Sequence, residues 1–202
     1  MIPKLPPHSK NLRIGLLGGS FNPAHSGHKL ISTIALKRLK LDYVWWIVTP
    51  GNPLKDNRTL PSQNRRMQQA QTIASHPRIK ITGFESQIQT RYTYGTITYI
   101  KRRCKNVKFI WLMGADNLKS FHHWQNWRNI ANQVPIAIID RPGTTLKSMQ
   151  SRTAHSLKKF RIKESSAPVL PSLKAPAWIF LHGRRTDLSS TILRKNQNKK
   201  QV

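Results

Sequence analysis

Gly18-Gly19-Ser20-Phe21-Asn22-Pro23-Ala24-His25-Ser26-Gly27-His28 joins an apolar run, Ile14 to Leu17, to an amphipathic run, Leu30 to Leu39. That context reads as strand, tight turn, helix. Gly18 and Gly19 let the backbone turn sharply and come close to a ligand. Pro23 stiffens the turn. The following helix presents unpaired N–H groups and the positive end of its dipole, which suits phosphate. His25 and His28 are three positions apart, so on a first helical turn they share a face. Histidine suits such a place because a modest shift keeps it protonated beside a triphosphate. The stretch lacks G-x-G-x-x-G, and no Gly-Lys-Ser/Thr follows, so it is neither a dinucleotide fingerprint nor a P-loop.

Working outward, strand and helix alternate. Strands are expected over Leu12 to Leu17, Asp42 to Val48, Ile79 to Phe84, Val107 to Met113, Val134 to Ile139 and Ala177 to Leu181. Helices are expected over His28 to Lys40, Pro61 to Ser75 and Tyr94 to Cys104, with short pieces over Asn117 to Phe121 and Trp124 to Ala131. Asp187 to Thr191 reads as a helix start, with Ser or Asp as N-cap. Such alternation implies an α/β fold, a Rossmann-like parallel sheet of about five to six strands with helices on both faces. Ligands of these sheets bind beyond the carboxyl ends of the strands, at the switch point. The Gly18 turn, the Pro50 to Lys55 loop and the Gly114-Ala115-Asp116 turn all follow strands and should gather there.

The 202 residues read as one domain. Residues 1–11 are expected to be a loose arm, 141–175 a mobile excursion with a helix near Lys147 to Phe160, and 195–202 a frayed tail. Thirty-five Lys and Arg against seven acids give a net charge of +28, which fits a polyanionic partner or basic residues scattered over solvated faces. Cys104 is the sole cysteine, which excludes an intrachain disulfide. No run reaches the length of a membrane span, and nothing resembles a signal peptide, so the cytoplasm is expected. The acids Asp42, Asp56, Glu85, Asp116, Asp140, Glu164 and Asp187 are dispersed. A protein cage for Mg²⁺ draws on carboxylates. Here Mg²⁺ is expected to arrive with a substrate's phosphates, with no resident metal ligands.

The opening stretch matches, without a gap, the G-G-x-F-x-P-x-H-x-G-H pattern of the nucleotidyltransferase superfamily. Ser189-Ser190-Thr191-Ile192-Leu193-Arg194 resembles its I-S-S-T-x-I-R motif, with Leu188 and Leu193 in place of Ile. Hydroxyls and open N–H groups at a helix start cradle phosphate, and an arginine forks onto it. Gly114-Ala115-Asp116-Asn117-Leu118, with Phe121-His122-His123-Trp124 and Trp127-Arg128-Asn129-Ile130, resembles a stretch of the bacterial nicotinate-nucleotide adenylyltransferases. Trp45-Trp46, Thr49 to Lys55 and Arg91-Tyr92-Thr93 fit the same family, although Gly95 stands where an acid is common.

The resemblance implies a nucleotidyltransferase fold and adenylyl transfer from ATP to nicotinate mononucleotide, giving deamido-NAD and pyrophosphate. It implies that His25 and His28 contact the ATP phosphates and that Gly18, Gly19, Ser20 and Phe21 line the nucleotide. Ser190, Thr191 and Arg194 would hold the triphosphate, with Arg194 joining the histidines in catalysis. Gly114 and Asp116 would meet the ribose or adenosine, though Asp116 also suits a helix cap. Trp124 would stack on the pyridine ring, with Tyr92 and Thr93 near its carboxylate and Lys55 near the mononucleotide phosphate. Trp127 is expected in the core, and His122 and His123 carry no assignment. A sister enzyme such as pantetheine-phosphate adenylyltransferase shares both phosphate motifs. A basic nucleic-acid-binding protein on this fold is the rival from another class. A homo-oligomer is compatible with all of these.

Overall fold

A computed structural model describes residues 3–51, 57–140, 145–183 and 190 of the chain. Six strands form one sheet: β1 (Arg13–Gly19), β2 (Tyr43–Val48), β3 (Ile79–Thr82), β4 (Lys108–Gly114), β5 (Ile136–Ile139) and β6 (Trp178–Leu181). Their order is β3-β2-β1-β4-β5-β6, and each neighbouring pair is parallel. The helices are α1 (Ser26–Arg38), α2 (Gln63–Ala74), α3 (Thr93–Arg103), α4 (Ala115–Ser120), α5 (Trp127–Gln133), α6 (Thr145–Met149) and α7 (Arg152–Ser156), with four 3₁₀ segments between them. The expected α/β fold is the one observed.

The central stretches of the strands are apolar because both faces are covered, while Arg13 and Lys108 start β1 and β4, and the edge strand β3 carries Lys80. Alternate residues go to opposite layers. Ile14, Leu16, Trp45, Ile47, Phe109, Trp111, Met113, Trp178 and Phe180 pack with Ile97 and Ile100 of α3, Leu118 of α4 and Trp127 and Ile130 of α5. Leu17, Val44, Trp46, Val48, Ile110, Leu112, Ile179 and Leu181 pack with Ile31, Ala35 and Leu36 of α1 and Ala70 and Ala74 of α2. The chain crosses from β3 at one edge to β4 beside β1, so the strand order reverses between β1 and β4. A switch point of this kind opens a crevice at the carboxyl ends. The Gly19, Val48 and Gly114 ends all lie on that side.

Two expectations about the periphery change. The arm is laid on the body from residue 3: Leu5 and Leu12 pack against the first layer, and the His8 ring meets Trp45 edge-on at 5.9 Å. The Asn11 amide donates to the Asn106 carbonyl at 2.7 Å. The excursion, over its described part, is folded onto both layers of the sheet. Ala154 and Leu157 enter one layer, Ala167 and Leu170 the other. The Trp178 indole N–H donates to the Leu157 carbonyl at 2.8 Å. Arg38 and His182 both bind Glu164, at 3.0 and 2.7 Å. These buried residues, with Met149, Phe160, Ile162 and Leu173 packed partly beside them, anchor a segment whose composition is largely polar. The single expected helix is two short ones, because Ser151 caps α7 by accepting from the Ala154 amide at 3.2 Å. Residues 195–202 lie outside the described residues.

Candidate active site

At the head of β1 the tight turn forms differently from the simplest reading of its glycines. Neither Gly18 nor Gly19 has a left-handed φ. Both belong to β1. Gly18 is small because the Trp111 ring fills the space: a β-carbon there would sit 2.6 Å from Cη2. The left-handed residue is Phe21, with φ of 47°. A bulky side chain in that region carries strain of about 1–3 kcal/mol and persists where its surroundings over-determine it. The Phe21 ring is buried, stacked on Trp46 at 5.0 Å and 16°, and 4.7 Å from the His28 ring. Trp46 is anchored in turn. Its indole donates to Ser32 Oγ at 2.7 Å, and that hydroxyl donates to the His28 carbonyl at 2.9 Å. The turn is therefore tied to the helix that carries the histidines.

His25 is the N-cap of α1, and the two histidines cap the helix reciprocally. His25 Nδ1 accepts from the Gly27 amide at 3.1 Å, and His28 Nδ1 accepts from the His25 amide at 3.2 Å. An Nδ1 that accepts carries no proton, so in this hydrogen-bond arrangement the ring hydrogen of each histidine is on Nε2. The ring centroids are 4.0 Å apart. A second proton on either ring would aim an N–H at a backbone N–H, and two charged rings would repel at that spacing. Both Nδ1 atoms are thus committed to backbone amides, which leaves Nε2 as the ring nitrogen that carries hydrogen in this arrangement. No acid stands in the first turn of α1, so its dipole end is not neutralised from within.

Ser190 of the C-terminal motif reaches the same turn. Ser190 Oγ donates to the Pro23 carbonyl at 2.9 Å, across 167 positions of sequence. Thr191 and Arg194 lie outside the described residues, as does Lys55 in the loop after β2. Gly114 caps α4, which starts directly after β4, so Asp116 sits exposed in the first turn of α4. Trp124 is half-buried between α4 and α5, edge-on to Trp111 at 6.2 Å and to Phe121 at 5.2 Å. Trp111 thus touches both Gly18 and Trp124, which joins the two halves of the crevice. Trp127 is a core residue, 6.0 Å from Phe121. Tyr92, exposed, caps α3, and Thr93 opens it. The described structure brings Gly18 to Phe21, His25, His28 and Ser190 together, with Trp124 joined through Trp111. Tyr92 and Thr93 are joined to the end of β2 through a residue that the sequence reading left aside.

That residue is Glu85, a buried carboxylate beneath the start of α3. It is hydrogen-bonded to the Thr96 hydroxyl, whose oxygen also lies 3.3 Å from the Tyr92 carbonyl. Burial raises the pKa of Glu85; the hydrogen bond from Thr96 and the nearby Thr49 hydroxyl oppose the rise without cancelling it. The sign follows from proton counting. The folded state holds the proton at a pH where the unfolded chain has lost it, so stability falls as pH rises from the ordinary carboxylate range through the raised value. Glu85→Gln keeps an oxygen for Thr96 and removes the titration. Melting temperatures of the two proteins should diverge as pH is raised from about 4 to about 8, with Gln the more stable at the upper end. Parallel curves would remove Glu85 as the cause. Asp42 and Glu164, whose pKa values are lowered, shift stability the other way but contribute equally to both curves.

Arg66 is the second omission. It stands on α2 in line with Ala70 and Ala74, and all three are buried. Its guanidinium donates to the carbonyls of Ser20, Thr49, Pro50 and Pro61. Its i, i+4, i+8 spacing with Ala70 and Ala74, which Arg65 beside it does not share, was the available signal.

A model of the cytidylyltransferase-like family matches residues 16–196. A protein of Brucella suis biovar 1 named "Probable nicotinate-nucleotide adenylyltransferase" is 53% identical over 189 residues, covering 94% of this chain and 97% of its own. One of the same name from Agrobacterium fabrum is 54% identical over 183 residues, covering 91% and 98%. Among solved structures, the Plasmodium falciparum nicotinic acid mononucleotide adenylyltransferase complexed with NaAD superposes with a TM-score of 0.68 at 18% identity. It covers 94% of this chain and 89% of that one. At that identity the likeness concerns the fold.

Proposed function

The chain belongs to the cytidylyltransferase-like family, and from that premise we infer that it is a nicotinate-nucleotide adenylyltransferase, joining ATP to nicotinate mononucleotide and releasing pyrophosphate. The observation that carries the reading is the Ser190 hydrogen bond to Pro23, which brings Ser190 of the second motif to the turn that leads into the reciprocally capped histidines. The curated relatives over nearly the whole chain supply the acceptor.

The mononucleotide phosphate attacks the α-phosphorus of ATP in line, and pyrophosphate leaves. An anion meets an anion, so positioning and charge stabilisation carry the rate, with no covalent enzyme intermediate. His25 and His28 donate from Nε2 to ATP phosphate oxygens. The open start of α1 adds its dipole. Ser190, Thr191 and Arg194 hold the outer phosphates, where charge accumulates on pyrophosphate. Gly18, Gly19, Ser20 and Phe21 line the nucleotide, and Gly114 and Asp116 meet its ribose or adenine. Trp124 stacks on the pyridine ring, Tyr92 and Thr93 meet its carboxylate, and Lys55 meets the mononucleotide phosphate. ATP enters as its Mg²⁺ complex. Among the described residues, no three His, Cys, Asp or Glu side chains gather as a metal site.

No helix among the described residues is long and apolar enough to cross a membrane. On this reading the enzyme works in the cytoplasm. The deciding experiment is a pyrophosphate-release assay with ATP and, in turn, nicotinate mononucleotide, nicotinamide mononucleotide and phosphopantetheine. Nicotinate mononucleotide should give the highest kcat/KM. A higher value with phosphopantetheine would move the chain to the sister enzyme.

A further inference from the structure

We propose that Arg66 is a positioning residue for this reaction: its buried guanidinium clamps the ATP-phosphate turn to the loop that receives the mononucleotide, and sets the spacing at which the two anions meet. The inference rests on the adenylyl-transfer reading above.

The side chain rises from α2 with 1% of its surface exposed. Nη1 donates to the Ser20 carbonyl at 2.6 Å and to the Thr49 carbonyl at 2.9 Å. Nη2 donates to the Pro50 carbonyl at 3.2 Å, and Nε to the Pro61 carbonyl at 2.9 Å. One planar group therefore ties three segments: the turn after β1, the loop after β2 and the approach to α2. Ser20 lies between the strand and the histidine-bearing helix. Thr49 and Pro50 begin the loop that carries Lys55. The Thr49 amide adds a direct link to the Gly19 carbonyl at 3.0 Å.

None of the four partners is a carboxylate. Burying a cation costs several kcal/mol in desolvation, and that burial pulls the Arg66 pKa below its ordinary value. An arginine stays charged nonetheless. Among the described residues its hydrogen-bond partners are all carbonyls, so its charge adds to the positive potential beside a crevice that on this reading holds two phosphate-bearing substrates. The clamp also requires the fork. Four carbonyls in different directions match the fixed donors of a guanidinium, whereas an ammonium offers three donors from one atom. Reacting atoms must come within about 3–3.5 Å, and a misplacement near 1 Å costs about 10²-fold. A residue that fixes both walls of the crevice acts on that distance without touching substrate.

The test is Arg66→Lys, which keeps the charge and loses the fork. KM for ATP and KM for nicotinate mononucleotide should rise together, with kcat/KM for each falling about 10- to 100-fold. A residue serving one substrate moves one KM, and a purely structural residue lowers Tm while leaving both KM values in the folded protein unchanged. In Arg66→Ala, millimolar guanidinium should restore part of the lost turnover. A folded Arg66→Lys protein with both KM values within twofold of native would overturn the proposal. Should neither variant fold, hydrogen exchange on the native protein decides. A non-hydrolysable ATP analogue should slow exchange in the peptide covering Thr49 to Gly51, and unchanged exchange there overturns the clamp. Failure of the native enzyme to use nicotinate mononucleotide would refute the proposed function instead, and the exchange measurement is independent of that outcome.

Discussion

Replacing His28 with alanine is expected to leave the protein folded and to lower kcat by about 10²-fold or more, the usual loss when a fixed donor to transition-state charge is removed. Two consequences of the substitution must be separated. His28 Nδ1 accepts the His25 amide, so alanine also removes half of the helix cap. Losing a cap costs about 1 kcal/mol. For a chain of this size that lowers Tm by roughly 2–4 °C. The fold therefore survives at assay temperature, and a hundredfold loss of kcat cannot be assigned to unfolding. The measurement is steady-state turnover with the melting curve of the same preparation. Near-normal kcat would remove His28 from the charge-stabilising role.

Gly18→Ala should produce the second large effect, this time on stability and acceptor binding together. A β-carbon at Gly18 would lie 2.6 Å from Trp111 Cη2, and Trp111 is buried. Forcing such a contact costs typically about 1–3 kcal/mol, with a Tm fall of about 2–4 °C for each kcal/mol. The indole must also move, and Trp124 leans on it edge-on at 6.2 Å. KM for the mononucleotide should rise as the stacking surface shifts. Gly19→Ala is the control for Tm, because a β-carbon there would lie 3.5 Å from the Phe21 ring, an ordinary contact. Equal melting temperatures for the two variants would show that the steric reading of Gly18 is wrong.

These two positions also mark how far the sequence could be read. The fold was legible because each strand is a short apolar run between turn formers, and its alternation with helices leaves few topologies. Edges were less so: β3 stops at Thr82, and Phe84 enters a 3₁₀ turn. The phosphate turn was legible as a pattern, but the work of its parts was not. Gly18 looked like a hinge and is a gap for Trp111; Phe21 looked like a lining residue and holds the left-handed bend. Which nitrogen of each histidine bears the proton depends on backbone amides that no spacing rule displays. Glu85 was invisible for a related reason, and Arg66 showed only in its spacing from Ala70 and Ala74. A carboxylate and a guanidinium in a polar-looking context read as solvated until the fold encloses them. The segment from 145 to 175 erred in the opposite direction, since its buried residues are too few to outweigh its Ser, Lys and Pro in any window.

The Ser190–Pro23 hydrogen bond sets a timetable as well as a geometry. Its partners are 167 positions apart, and at a synthesis rate of roughly 5–20 residues per second the second is made about 8–33 s after the first. The strands β1 to β5, and with them the histidine turn, are all synthesised before Ser190. The contact between the two motifs is therefore made late in folding, after the turn it closes on and close behind the last core strand, β6.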